Sequence, residues 1–301
     1  MLQQIMDWGI AFILWLQQFH PALDFPFRAF TFTGEELFFL LFLPLIYWCL
    51  DRRTGARVTF LFLISTYINA IAKEFFAQPR PAQYDARVWA FSDVGGTGGF
   101  PSNHTQSAVV VWGYLAATFR RTWLWVLAGL LMIMVPLSRL YLGVHFPHDL
   151  LGGYALGALL LFIYLRWGER GEQWLARMGV GAQLALVAAL AIPLTLIFPT
   201  EDGVTGGATL LGMGVGFVIQ ARWIGFEVDG VLWKRVLRYT LGAAVIVGLW
   251  AGLRAAFSAL EPALLFRFIR YTLMGFWGGA GAPWMFVQLG LAPGRKQSQA
   301  A

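Results

Sequence analysis

Long apolar runs, broken by short polar stretches, set the pattern of this chain. They recur at about 35–50, 58–77, 104–119, 122–142, 148–166, 182–199, 206–220, 236–257 and 268–290. A helix that crosses the hydrocarbon core needs roughly 17–25 such residues. The pattern predicts nine membrane spans, several of them short or rich in glycine. Ahead of them, Ile5 to Leu16 is shorter, carries Asp7 and Trp8 and is flanked by glutamines. It reads as a helix lying in the membrane interface. His20 to Thr33, with its prolines, aromatics and Arg28, reads as a second interfacial stretch. The expected fold class is all-α: a polytopic transmembrane helical bundle of about nine spans plus an N-terminal interfacial helix.

Composition supports this reading and excludes others. Of 301 residues, 58% are hydrophobic and 13% are charged, with a mean hydropathy of +0.63. A water-soluble domain of this size could not cover so much apolar surface. Disordered, collagen-like and coiled-coil readings fail on the same numbers. The net charge of +6 raises nucleic-acid binding, but the arginines sit in short clusters between apolar runs, so topology explains them better. With nine spans, fourteen of the 22 lysines and arginines fall on one side and eight on the other. The richer side is read as cytoplasmic, which puts the C-terminus inside and the start of the first span outside. The single cysteine, Cys49, allows neither an intrachain disulfide nor a cysteine-rich metal cage. The N-terminus lacks a basic leader, so no cleavable signal is expected.

The polar stretch Gly168 to Gly181 is the one visible boundary. It suggests interfacial helices over residues 1–34, a five-span core over 35–168, a cytoplasmic linker over 169–181 and a four-span region over 182–301. No internal repeat is evident, and only the last few residues read as a disordered tail.

Ionisable residues at membrane depth are costly and point to function. Lys73 and Arg80 close the second span. Ser102, Asn103 and His104 open the third. Ser138 and Arg139 close the fourth, and His145 and Asp149 open the fifth. The expected topology brings all of them to the non-cytoplasmic face. Three cations, neutral donors and the free amides at a helix start make a cradle for a phosphoryl group. Two histidines can supply a nucleophile and an acid/base, and Asp149 is near enough in sequence to fix one imidazole. Singly, such residues are more often headgroup anchors, packing histidines and N-caps. Their joint placement at one depth points to phosphate chemistry.

Their order and spacing resemble the three signatures of the type 2 phosphatidate phosphatase superfamily, which includes vanadium haloperoxidases and glucose-6-phosphatase. The matching strings are Lys73-x6-Arg80-Pro81, Pro101-Ser102-Asn103-His104 and Ser138-Arg139-x5-His145-x3-Asp149. The resemblance implies that His145 attacks phosphorus and forms a phosphohistidine, with Asp149 orienting it. It implies that His104 protonates the leaving oxygen and then activates water. Lys73, Arg80, Ser102, Arg139 and the amide at Asn103 would hold the phosphate, with no metal and no cofactor. One position departs, because glycine usually stands where this chain has Asn103. Asparagine tolerates left-handed backbone angles better than other non-glycine residues. The backbone donor is therefore expected to survive, and leaving-group scope to change. Glu35 and Glu36 read as helix-capping and local pairing residues, and His148 as structural, with Pro147 opening a helix. Gly95 to Gly99 reads as a flexible loop over the site, not a nucleotide cradle.

The function expected is a membrane-embedded, metal-independent phosphatase acting on a lipid phosphate or isoprenoid diphosphate at the non-cytoplasmic face. Its partners are that substrate and membrane lipids, with no nucleic acid; the oligomeric state is not encoded legibly. Alternatives are a sugar-phosphate hydrolase resembling glucose-6-phosphatase, suggested by nine spans, an external N-terminus and the string His145-Phe146-Pro147-His148, and a lipid phosphotransferase. A transporter of a phosphorylated compound is the non-enzyme alternative. It is disfavoured because the polar residues cluster in the first five spans without a partner set in the last four.

Overall fold

The computed structural model describes residues 2–91 and 98–295, leaving aside the side chain of Leu194. Among these residues every regular element is helical. Two helices, α1 (Leu2–Gln17) and α2 (Asp24–Phe32), precede α3 (Glu36–Leu45), which a π-helical turn extends through Ile46–Leu50. Then come α4 (Arg52–Phe76), the short α5 (Pro81–Tyr84), α6 (Asn103–Phe119), α7 (Thr122–Tyr141) and α8 (Pro147–Ala176). The rest comprises α9 (Val180–Ile197), α10 (Glu201–Ile219), α11 (Leu232–Ala256), α12 (Ala263–Phe276) and α13 (Ala282–Gln288). Further π-helical turns extend α10 through Gln220–Ile224 and join α12 to α13 through Trp277–Gly281.

All nine apolar runs are thus helical, but fewer meet the demands of a span. Among the described residues six helices are long and apolar enough to cross a membrane, or seven if α2 and α3, bent by 51°, count as one. This is below the nine expected, for reasons of length and polarity. Helix α6 has 17 residues and opens on Asn103-His104-Thr105-Gln106-Ser107. Helix α12 has 14 and reaches α13 only through its π-helical turn.

The chain forms two compact units, Met1–Phe39 with Ile68–Gly168 and Leu40–Tyr67 with Glu169–Ala301. Residues 40–67, placed by the sequence with the five-span core, group with the C-terminal helices instead.

In the first unit α6 is central, buried from Thr105 to Ala116. Helix α8 approaches it through Gly153 and Gly157. A Cβ at Gly153 would lie 2.7 Å from the Ser102 carbonyl, and one at Gly157 3.0 Å from the Gln106 carbonyl. Small residues spaced four apart let two helix backbones meet this closely. Helix α1 turns Met6, Gly9, Ile10, Ile13 and Leu16 inward at helical spacing and leaves Trp8 and Trp15 exposed. Its apolar stripe packs with Val88 and Phe146. Helix α2 is fastened to α7, where Phe27 meets the Tyr141 ring at 4.6 Å and the Tyr141 hydroxyl donates to Asp24 Oδ1 at 2.6 Å.

In the second unit Tyr47, Trp48, Phe226 and Phe286 anchor an apolar cluster that also buries Cys49. Trp48 Nε1 donates to the Gly278 carbonyl at 3.0 Å. Arg57 pairs with Glu172 through Nε at 2.6 Å. Because α8 runs on to Ala176, the first half of the expected linker is helix; Glu169, Arg170 and Glu172 suit a helix, and the ion pair secures that turn. Gly95, Gly96 and Thr97 of the glycine-rich stretch, and the tail after Arg295, lie outside the described residues.

Candidate active site

Four segments of the first unit carry the residues that the sequence singles out. Lys73 sits in the last turn of α4. Ala77, left-handed at φ 43°, closes that helix by donating its amide to the Lys73 carbonyl at 2.8 Å. The chain then leaves the helix axis, carrying Gln78 and Arg80 beyond its end. Arg80 has extended backbone, Pro81 opens α5, and Gln83 Oε1 accepts from the Arg80 amide at 2.9 Å. The buried guanidinium donates from Nη1 to the Val144 carbonyl at 2.9 Å and lies 3.4 Å from His145 Nε2.

The start of α6 supplies the second group. Ser102 is its fully buried N-cap, accepting from the Thr105 amide at 3.4 Å. The Ser102 amide donates to the Asp149 carbonyl at 3.0 Å, which ties α6 to α8. Asn69 of α4 adds a second tie by donating to Gln106 Oε1 at 2.8 Å and to the Pro101 carbonyl at 3.2 Å. Both amide side chains are buried, and an unpaired group there would cost about 1–3 kcal/mol. His104 follows, with Nε2 buried and without a hydrogen-bond partner among the described residues.

Asn103 corrects an expectation. It is the first residue of α6, and among the described non-glycine residues only Ala77 and Arg120 have positive φ. No left-handed angle is required of Asn103 in this chain, so its tolerance of such angles plays no part here. Its Oδ1 accepts instead from Ser107 Oγ at 3.5 Å.

The third group lies between α7 and α8. Arg139 closes α7; its Nη1 donates to Thr31 Oγ1 at 2.5 Å, while its buried Nε has no partner among the described residues. The Val144 amide donates to the Arg139 carbonyl at 3.2 Å and folds the connecting segment back on the helix. His145 is buried in that segment, with Nδ1 3.2 Å from Asp149 Oδ2. Asp149 Oδ2 also accepts from the Phe146 amide at 2.8 Å, and Oδ1 accepts from Gln78 Nε2 at 2.9 Å. An acceptor at Nδ1 fixes the proton there and leaves the Nε2 lone pair on the Arg80 side. Burial, and then the charges of Arg80, Arg139, Lys73 and His104, hold the His145 imidazole well below the ordinary histidine range. The ring is neutral near pH 7, as a nitrogen nucleophile must be.

The eight residues expected in the site therefore gather in one unit. Arg139, Lys73 and Arg80 all act electrostatically on both His104 and His145. Three side chains escaped the sequence reading. Gln78 holds Asp149 and also lies 2.7 Å from His148 Nε2, which draws His148 to the edge of the site. Asn69 and Gln106 brace the second segment; their signal was present as amides inside apolar runs. Gly99 belongs here too: a Cβ on it would lie 3.2 Å from Asp149 Oδ2. Among the described residues, no three His, Cys, Asp or Glu side chains form a group that could hold a metal ion.

The chain matches family models and known proteins. Residues 54–172 match the model of the PAP2 superfamily, and residues 204–294 match that of its phosphatase transmembrane extension. The chain is 31% identical over 214 residues to mouse sphingosine-1-phosphate phosphatase 2, covering 66% of this chain and 58% of that protein. It is 31% identical over 154 residues to human glucose-6-phosphatase 3, covering 43% of this chain and 44% of that protein. A solved structure of a transmembrane PAP2-type phosphatidylglycerolphosphate phosphatase from Bacillus subtilis is similar at TM-score 0.47 and 23% identity, over 56% of this chain and 87% of that one. The chain thus spans little more than half the length of the mouse relative and less than half of the human one. It belongs to the PAP2 superfamily, and its three motifs all fall within the first matched region.

Proposed function

We propose that the protein is a membrane-embedded phosphatase that hydrolyses a lipid phosphate or lipid diphosphate without a metal ion. His145 Nε2 attacks phosphorus as the ester P–O bond breaks, and His104 donates a proton to the departing oxygen. Water then attacks the phosphohistidine while His104 takes its proton, the P–N bond breaks, and His145 returns to its starting form. Lys73, Arg80, Arg139, Ser102 and the Asn103 amide take the phosphoryl oxygens, where transition-state charge develops. The observation that carries this reading is a buried His145 with Asp149 beside one ring nitrogen and Arg80 beside the other.

A lipid substrate is favoured by a site built at the ends of apolar helices and by relatives named for lipid phosphates. The finer topology proposed has nine spans, the site on the non-cytoplasmic face and the C-terminus in the cytoplasm. The asymmetry of lysine and arginine supports it. A sugar phosphate is the second reading, favoured by the similarity to glucose-6-phosphatase 3. Phosphate release by detergent-solubilised protein tests both, over a panel of phosphatidate, sphingoid phosphate, isoprenyl diphosphate and glucose phosphate. Release from a lipid at least about tenfold faster than from glucose phosphate supports the first reading, and the reverse order supports the second. Release from none of them, in a folded protein, contradicts both.

A further inference from the structure

Helix α2 and the turn after it lie outside both regions matched by the superfamily models. Yet this segment touches two groups of the candidate site. Thr31 is buried, and its Oγ1 accepts from Arg139 Nη1 at 2.5 Å. One corner of the guanidinium is thereby held. The Nε of the same guanidinium is buried and has no partner among the described residues. A fork of donors with one corner fixed and another unsatisfied is oriented for an anion that takes the unsatisfied edge.

Three residues further on, Gly34 lies against His104. A Cβ at Gly34 would sit 2.6 Å from His104 Cδ2 and 3.2 Å from Cγ. Only glycine leaves the imidazole where it is. The His104 Nε2 is likewise buried without a partner among the described residues. The segment has little freedom to retreat. Asp24 is bonded to Tyr141, Phe27 packs on the same ring, and the Arg28 guanidinium lies 3.5 Å from the centre of the Phe91 ring.

We propose that Thr31 and Gly34 are positioning residues for the phosphatase reaction. Thr31 orients Arg139 toward the phosphoryl oxygens, and Gly34 sets the His104 ring for protonation of the leaving group. This rests on the phosphatase reading above and extends the site beyond the superfamily motifs to an N-terminal helix. The two contacts act on different steps, so their loss has different signatures. Weakening the grip on Arg139 weakens every phosphate ligand alike. Displacing His104 slows water activation for every substrate alike, and adds a loss in phosphohistidine formation only where the leaving oxygen needs a proton, that is, for a lipid alkoxide and not for a nitrophenolate.

The test uses the full-length protein in detergent, with orthovanadate as the phosphate mimic and two substrates, a lipid phosphate and p-nitrophenyl phosphate. Thr31→Val removes the acceptor at nearly constant volume, and Thr31→Ser keeps it. Thr31→Val is expected to weaken vanadate inhibition about tenfold and to lower kcat/KM on both substrates alike, with Thr31→Ser within about threefold of wild type. Gly34→Ala is expected to cut kcat/KM, which reports phosphohistidine formation, at least about tenfold more on the lipid phosphate than on p-nitrophenyl phosphate, with vanadate binding kept. Equal vanadate binding in wild type and Thr31→Val, or equal losses in the valine and serine variants, overturns the role of Thr31. An equal loss of kcat/KM on both substrates, or none, overturns that of Gly34. A folded wild-type protein inactive on both substrates overturns the phosphatase reading itself, which keeps the two failures apart.

Discussion

His145 Nδ1 lies 3.2 Å from Asp149 Oδ2, across the start of α8. Asp149 stands four positions after His145, so the first turn of the helix brings the carboxylate back beside the ring. The same oxygen accepts the Phe146 amide. One buried carboxylate thus fixes both the backbone and the imidazole of the proposed nucleophile. Asp149→Asn should keep the fold and lower kcat at least about a hundredfold, because an amide can present its NH₂ to Nδ1 and favour the wrong tautomer. The check is steady-state phosphate release beside a thermal unfolding curve. Activity within about tenfold of wild type would show that the pair does not orient the ring.

Gln78 is the outer support of that carboxylate. Gln78→Leu leaves a buried carboxyl oxygen of Asp149 without its donor, which costs roughly 1–3 kcal/mol. Turnover should fall about tenfold to a hundredfold while KM changes less than about threefold, since Gln78 touches Asp149 and not the phosphate cradle. A rise in KM with unchanged kcat would place Gln78 in substrate binding.

The protonation of His145 gives a prediction with a definite sign. In the unfolded chain it takes a proton below about pH 6.5. In the folded protein burial and the neighbouring cations prevent this until the pH is well lower. The unfolded state therefore binds more protons across that window, so stability is fully present above about pH 6.5 and falls as the pH drops. Thermal unfolding in detergent should show a midpoint that declines from about pH 6.5 downward, with a shallower slope in His145→Gln. The same depression keeps His145, the proposed nucleophile, neutral, so the acid limb of kcat/KM should lie below about pH 6.5. A limb centred at or above that value would assign the titration to another group.

Asn103 is separable by substrate. Its backbone does not need a left-handed angle, so Asn103→Gly tests the side chain, which bonds to Ser107. If only the amide serves, activity should stay within about tenfold on every substrate, roughly 1.4 kcal/mol. A change of about tenfold in the ratio between two lipid phosphates with different leaving groups would make the side chain a specificity residue.

Much of this architecture was legible from the sequence, because two kinds of signal are local. Apolar runs fix where helices form, and all nine are helical. The spacing from Lys73 to Asp149 fixed which polar residues meet, since each lies near the end of a predicted helix. What stayed hidden depends on packing. Residues 40–67 group with the C-terminal helices through contacts of Tyr47 and Trp48 with Phe226 and Phe286, which periodicity does not encode. Thr31 and Gly34 sit in a stretch that reads only as interfacial, and their bearing on Arg139 and His104 exists only in three dimensions. Asn103 misleads because a residue type does not by itself report a backbone angle.

Topology has its own check. Ala86 and Thr122 are both exposed in the structure and flank the polar stretches that the charge count assigns to opposite faces. Single cysteines there, in a Cys49→Ala background, should react with an impermeant reagent on intact cells at position 86 and not at 122. The reverse pattern would put the site on the cytoplasmic face.

A phosphohistidine on His145 can be trapped. Protein mixed with a lipid substrate carrying radiolabelled phosphate and quenched in denaturant within one turnover should hold label that is stable in base and lost in acid. Such label is expected in wild type and none in His145→Ala. Label that persists in His145→Ala, or full wild-type turnover with no trapped label under any quench, would rule the intermediate out.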